Sequence, residues 1–405
     1  MFATSDGRGL LFLYRLEQTA TKLINASRPR ILQLCAVDFT AFHFLQPLME
    51  GCRDAGWDVE FACSAGPGAL SLEQSGFRFR RFDVSRRPAP TTNGRALLRF
   101  AIELRRDRPT VVHTHTPVAG IVGRLAAQLA GCHRVVHTFH GLPFTAKASG
   151  LGAATYLALE RLAARRTDYF FSQSRGDADR AVKLGIARER ELLVIGNGVD
   201  LGRFTPDANE RARVRKELAI PDSDVVVLFV GRLVREKGIV DLADAAVLLK
   251  DLPDVTFVIA GDPLASDRDP VGAELDRHPV VDALGARWRR LGYRADIDRI
   301  VKSADMLALP SYREGLPRSV IEAMACALPV IASDIAACRE LLDPGEMGIL
   351  VPAGQPEAIS ASIRGLVTDP VRRRRMGDAA RARAESRHDE RVVIARQIEI
   401  YQRLL

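Results

Sequence analysis

The sequence lacks most of the features that would set it apart from an ordinary folded enzyme. Its six cysteines, Cys35, Cys52, Cys63, Cys132, Cys326 and Cys338, form no CxxC pair in 405 residues. That excludes a disulfide framework and a cysteine-rich zinc module, and it suits a reducing cytosol. No apolar run approaches the ~20 residues needed to cross a bilayer. The best candidate, 9–14, has neither a basic segment before it nor a small-residue cleavage site after it, so no signal peptide is expected. Aromatic residues make up only 6% of the chain, and no tract of biased composition speaks for disorder. Also missing are the G-x-x-x-x-G-K-[ST] spacing of a P-loop and the G-x-G-x-x-G dinucleotide fingerprint, which weighs against a kinase or a dehydrogenase.

What remains is a chain with 47% apolar residues, long enough for two domains with separate cores. Residues 1–29 read as an extension ahead of the core strand 30–35. Strands at 58–64, 77–82, 110–114, 134–138, 167–172 and 192–195 alternate with helical segments. After a hinge at 196–222 the pattern restarts at 224–230 and continues through 255–260, 287–291, 304–309, 329–333 and 348–351. Such alternation predicts an α/β fold with parallel, doubly wound sheets, whose ligands lie beyond the carboxyl ends of the strands.

Several stretches at those ends carry polar groups. Asp38-Phe39-Thr40 follows the initial strand, and His113, His115, His137 and His140 cluster near two others. The histidines lack a zinc spacing and an acidic partner. Asp267-Arg268-Asp269 forms a DxD triplet, but so do Asp222/Asp224 and Asp296/Asp298, so no divalent metal is expected.

The formal net charge is +8, and between Arg78 and Arg108 ten arginines (78, 80, 81, 86, 87, 95, 99, 105, 106 and 108) face three acids, Asp83, Glu103 and Asp107. These are either solvated faces or a basic surface that meets anionic lipid headgroups or a lipid diphosphate. The arginines lack interleaved aromatics, so no nucleic-acid partner is expected. The run Arg372–Arg375 reads as a solvated helix start.

The densest chemistry lies in LPSYREGLPRSVIEAMACALPVIASD, 309–334. An apolar strand ends near Pro310, Gly315 and Pro317 mark a turn, and a helix runs from about Arg318 to Ala327, with Pro317 suited to its opening position. Glu314 then lies in the loop and Glu322 within the helix. Unsatisfied backbone N–H groups and the positive dipole end point at whatever the loop holds. A second loop, GRLVREKG, offers Arg232 and Lys237. A guanidinium fork and an ammonium there could neutralise a phosphoryl leaving group without a metal. Taken singly, each of these groups could equally be a surface residue.

The continuous string E-G-L-P-R-S-V-I-E with AMAC-x-LPVIASD, together with G-R-L-x-x-E-K-G, resembles the family-4 retaining glycosyltransferases of the two-domain GT-B fold. The resemblance implies that Glu314 lies against the donor sugar, that Glu322 takes the ribose hydroxyls, and that Arg232 and Lys237 meet the diphosphate. Gly231, Gly315 and Leu316 belong to the same donor site, and Arg294 of Gly292-Tyr293-Arg294 borders the nucleobase. His140, followed by Gly141, matches a histidine that faces the sugar, so Glu314, His140, Arg232 and Lys237 are the expected catalytic set. Asp38, Thr40 and His115 are expected on the acceptor side.

The same resemblance places domains at 30–200 and 201–388, joined through Asn197-Gly198-Val199-Asp200, with a final helix at 389–405 returning to the first domain. The loop VDFTAFHF departs from the family in having no glycine, and Gly261-Asp262-Pro263 replaces a G-D-G. VDFTAFHFLQPL and HTHTPVAG are similar to CapM-like and PglA-like capsule, exopolysaccharide and lipid-linked-glycan enzymes. The implied activity is transfer of a sugar from a nucleotide sugar, UDP favoured, to a glycan acceptor, lipid-linked by that likeness, with retention and without cofactor or metal. The implied setting is the cytoplasm, peripheral on the inner membrane face. A UDP-sugar epimerase of the same fold and a transferase for a small soluble molecule are the alternatives.

Overall fold

The computed structural model describes residues 28–85, 89–142, 150–264, 267 and 269–405. Residues 1–27 of the extension 1–29, Arg86 and Arg87 of the basic stretch, and Arg268 of the triplet lie outside the described residues.

Short runs rich in Val, Ile, Leu and Phe become the strands of two parallel sheets. The first domain contains β1 (Arg30–Leu34), β2 (Asp58–Cys63), β3 (Arg78–Arg81), β4 (Val111–His115), β5 (Arg134–Phe139), β6 (Tyr169–Ser172) and β7 (Leu192–Val194), in the order β3-β2-β1-β4-β5-β6-β7. Helices α1 (Gln46–Asp54) and α2 (Pro67–Gln74) cover one face of this sheet. α3 (Pro90–Asp107) and α4 (Pro117–Ala130) cover the other, with α5 (Leu151–Ala164) beside α4 and α6 (Arg175–Lys183) following β6. Arg124 of α4 and Glu160 of α5 form a buried ion pair that ties those two helices together.

The second domain begins with α7 (Ala208–Glu217), followed by β8 (Val225–Val230), α8 (Ile239–Val247), β9 (Val255–Ala260), β10 (Trp288–Gly292), α9 (Ile297–Lys302), β11 (Met306–Leu309), α10 (Arg318–Ala325), β12 (Val330–Ser333), α11 (Ala336–Leu341) and β13 (Gly348–Val351). Its sheet order is β10-β9-β8-β11-β12-β13. Helices α12 (Pro356–Thr368) and α13 (Pro370–Arg387) complete it, and α14 (Glu390–Arg403) returns to the first domain. There Tyr401 is wholly buried among Trp57, Phe171 and the α1 side chains.

Two expectations change. The stretch 196–222, read as a hinge, contains α7, whose Asp207 cap accepts hydrogen bonds from Asn209 N and Glu210 N. The crossover itself is narrower: Val199 pairs with Asp389 as the chain leaves one domain and returns to it, and a Cβ on Gly198 would lie 2.6 Å from Glu390 Cα. The glycine-free segment after β1 is also no open loop. It coils at once into a helical turn (Asp38–Thr40) and a π-helical turn (Ala41–Leu45) ahead of α1. The glycines sit in the neighbouring β2 loop, where Asp38 Oδ2 accepts from Gly68 N at 2.9 Å and a Cβ on Gly66 would strike that carboxylate at 2.2 Å.

Candidate active site

Strand order reverses beside β1 and β4 in one sheet and beside β8 and β11 in the other. Loops at such switch points diverge and open a crevice for ligand. The β8 and β11 loops are knitted together by their backbones. Tyr312 N donates to Glu236 O at 2.9 Å, and Gly238, with φ +68°, lies so close that a Cβ would stand 1.9 Å from Pro310 O. A side chain cannot be accommodated there, and the glycine also meets the left-handed φ. This contact brings Lys237 to Glu314: Nζ lies 2.7 Å from Oε1 and 2.8 Å from Oε2. Ser311 Oγ donates to the same Oε1 at 2.8 Å. Sequence reasoning passed over Ser311, although it lies three residues before Glu314.

Arg232 ends in the same loop but pairs with Asp267, whose side chain is almost wholly buried and whose other oxygen accepts from Leu264 N at 2.8 Å. One acid of the DxD triplet thus orients a cation. At the mouth of α10, Pro317 is the N-cap rather than the first helical residue and offers no side-chain oxygen, so no side chain caps the opening amides. Gly231 N is bonded to Ala260 O at 3.0 Å, and Leu316 O accepts from Asn197 Nδ2 at 3.2 Å.

The domains touch at this point. A Cβ on Gly315 would lie 3.0 Å from His140 O and 3.3 Å from Gly141 Cα, so the backbones carrying Glu314 and His140 are in contact. His140 Nε2 lies 3.0 Å from His115 Nδ1, and His115 Nε2 lies 2.8 Å from Gln33 Oε1. Burial, with Arg318 nearby, pushes the His140 imidazole down to about 4. His113 is held by Tyr401 OH at 2.6 Å and Thr138 Oγ1 at 2.7 Å, and His137 by Thr114 Oγ1 at 2.9 Å. His113, His115 and His137 are therefore buried hydrogen-bonding groups with His140 half-buried above them, and among the described residues no three His, Cys, Asp or Glu side chains gather as a metal site.

Glu322 is buried on α10, with Arg318 Nε 3.8 Å away. Desolvation raises its carboxyl above the usual range, while Arg318 and Arg203 pull it down. Arg318, unremarked in the sequence, reaches the first domain: Nη1 donates to His43 O at 3.1 Å and the guanidinium lies 5.3 Å from the Phe44 ring centre. Arg294 turns towards α7, with two bonds of 2.7 Å to Asp296 and one of 3.2 Å to Glu217. Its neighbour Tyr293 spans the cleft instead, its OH 3.1 Å from His43 Nε2. On the acceptor side, Asp38 is engaged at Gly68, Thr40 is half-buried in the adjoining turn, and His115 is buried beneath His140. A cavity of about 50 Å³ beside His140 is lined by Phe44, Gln173, Arg318 and Glu390, among others.

Two facing Rossmann-like sheets with this loop pair between them define the GT-B class of glycosyltransferase. The family described as Glycosyl transferases group 1 matches residues 210–383, and the Glycosyl transferase 4-like domain matches 43–198. An Escherichia coli relative, UDP-Gal:alpha-D-GlcNAc-diphosphoundecaprenol alpha-1,3-galactosyltransferase, is 32% identical over 69% of this chain and 72% of its own. The alpha-maltose-1-phosphate synthase of Mycolicibacterium smegmatis is 31% identical over 78% of this chain and 86% of its own. The fold is similar to that of Anabaena HepE in complex with UDP and glucose, with a TM-score of 0.80 and 24% identity over 93% of this chain and 100% of that one. The chain belongs to the family-4 glycosyltransferases and is a glycosyltransferase of the GT-B fold.

Proposed function

We propose that this glycosyltransferase moves a sugar from a UDP-sugar to a hydroxyl of a lipid-linked glycan, with retention of configuration, in the synthesis of a cell-surface polysaccharide or glycoconjugate. The observation that carries the reading is the pairing of Lys237 with Glu314 in the loop that leads into the uncapped N-terminus of α10. Arg232, Lys237 and the opening α10 amides stabilise charge growing on the departing diphosphate. Glu314 and His140 hold the sugar, and Glu322 accepts from the ribose hydroxyls. As the bond from the sugar C1 to the diphosphate oxygen breaks, the acceptor oxygen bonds to C1 on the same face. Its proton passes to a phosphate oxygen, and UDP departs.

The UDP donor and the diphosphoundecaprenol acceptor named for the Escherichia coli relative support this choice. The maltose-1-phosphate product named for the Mycolicibacterium relative supports the alternative acceptor class. The two cations supply the charge that a metal would otherwise bring, so a chelator should leave the rate unchanged. The enzyme works at the inner membrane face. The test is transfer from a panel of nucleotide sugars, with and without a membrane lipid extract. Turnover that requires the extract and gives a product with the donor's anomeric configuration supports the proposal. Transfer only to soluble acceptors, inversion, or conversion of a UDP-sugar with no acceptor present overturns it.

A further inference from the structure

The structure divides the basic stretch of the sequence into two parts with different fates. On β3, Arg78 pairs with Asp58 and Glu60, Arg80 with Glu60 and Asp107, and Arg81 with Asp83. These arginines answer local carboxylates and leave little charge for a partner. On α3, Arg95, Leu98, Arg99, Ile102 and Arg106 stand at positions i, i+3, i+4, i+7 and i+11, which puts them on one helical face. That face looks outward: Leu98 is 61% and Ile102 56% exposed, while Phe100, Ala101 and Leu104 on the opposite side enter the core. Arg99 pairs with Glu103, whereas Arg95, Arg105 and Arg106 make no ion pair among the described residues. The adjoining helices of the same layer also expose Leu129 on α4 and Leu159 and Leu162 on α5.

A water-facing helix gains nothing from two adjacent large apolar side chains, and solvation alone does not call for arginines flanking them. Both features suit an interface with apolar depth and negative charge at its surface. Leu98 and Ile102 can enter the acyl boundary while the arginines extend their aliphatic stems and keep their guanidinium groups at phosphate level. Nucleic acid would match the charge but not the aliphatic pair, because stacking on bases uses aromatic side chains, which this face lacks.

We propose that the outer face of α3, centred on Leu98 and Ile102 and flanked by Arg95, Arg99, Arg105 and Arg106, docks the enzyme on a bilayer of anionic phospholipid. The proposal rests on the reading of a lipid-linked acceptor and adds the surface that would bring the cleft to it. α3 lies on the first domain, across the sheet from α14.

The test is co-sedimentation of the full chain with vesicles of phosphatidylcholine alone and of phosphatidylcholine with phosphatidylglycerol. Binding should require phosphatidylglycerol and weaken with salt. Arg95→Gln/Arg99→Gln/Arg106→Gln should lower affinity by about a hundredfold, the sum of three surface cations. Leu98→Ser/Ile102→Ser should abolish the fraction that survives high salt, and Arg81→Gln should change binding less than twofold. Donor hydrolysis in solution, unchanged in these variants, would verify that each still folds. Equal binding to neutral vesicles, undiminished binding of both α3 variants, or loss of binding to duplex DNA but not to vesicles would each overturn the proposal. Sugar transfer to a detergent-dispersed lipid acceptor is read separately and does not depend on docking, so failure of this surface is distinguishable from failure of the enzymatic reading.

Discussion

Lys237 and Glu314, 77 residues apart in the chain, share two hydrogen bonds of 2.7 and 2.8 Å at the floor of the interdomain cleft. The Glu314 side chain is 8% and the Lys237 side chain 21% exposed. Each charge therefore depends on the other, and a diphosphate entering the cleft would compete with the carboxylate for the ammonium. Glu314→Gln and Lys237→Ala should each lower kcat about 10²- to 10³-fold, as loss of a preorganised charge does. Lys237→Ala should also cost about 2 kcal/mol of stability by leaving a partly buried carboxylate without its cation. The double variant should be destabilised by less than the sum of the single ones. Strict additivity in denaturant titrations would contradict the pair.

Ser311 holds Glu314 from the other side. Ser311→Ala removes one hydrogen bond to a charged group, worth about 1.5–3 kcal/mol. The expected result is roughly tenfold slower turnover with UDP affinity unchanged. A change in UDP affinity alone, measured by calorimetry, would assign Ser311 to the nucleotide instead.

Glu322 should trade stability for binding. Burial raises its carboxyl above the ordinary range, so at neutral pH the ionised form opposes folding and the protonated form relieves that cost. Glu322→Gln should melt at an equal or higher temperature and bind UDP at least tenfold more weakly. In the parent, UDP affinity should begin to fall on acidification at a pH above the usual carboxylate range, and the glutamine variant should lack that step. A variant that melts lower and binds normally would refute both assignments.

The buried histidines should make the first domain acid-sensitive. His113, His115, His137 and His140 are all held below the ordinary imidazole value, chiefly by desolvation. The unfolded chain takes up protons near pH 6.5 that the fold refuses, so stability is full above that value and declines as pH falls. For His140, pushed down to about 4, the loss across that window amounts to about 3 kcal/mol. Melting followed by circular dichroism from pH 7 to 4 should show the decline, with a shallower slope in His140→Asn. A melting temperature independent of pH would contradict the burial of these groups.

Gly238→Ala should separate the β8 and β11 loops, because its Cβ would sit 1.9 Å from Pro310 O and its φ is +68°. Turnover should fall by more than tenfold with the second domain still folded. Normal turnover would mean that the loops tolerate a gap there.

Much of the architecture was legible because its elements carry local signals. The runs 225–230, apolar throughout, and 255–260, apolar but for Thr256, read as buried strands, and Pro317 and Pro329 bracketed α10. Helix α7 was absorbed into the hinge because its sequence, ANERARVRKE, has no apolar stripe. It is fixed by the Asp207 cap and by the inward Val214 and Arg215, the latter bonded to Asp305 at 2.7 Å. Helix α11, six residues long, was missed for want of periodicity. The basic stretch was visible as composition, but which arginines remain unpaired depends on carboxylates of β2 and the end of α3 that fall beside them only when the sheet forms.

By itself the sequence determined the parallel α/β class, the family, and the loops in which the charged residues would stand, since each of these is written in residues adjacent along the chain. Tertiary structure alone decided the pairings: that Lys237 meets Glu314, that Arg232 is held by Asp267 and Arg294 reaches Glu217, and that His115 backs His140 beneath the cleft. Partners of this kind come from strand ends brought together by sheet order and from backbones close enough to need Gly238 and Gly315. No local propensity encodes such distances.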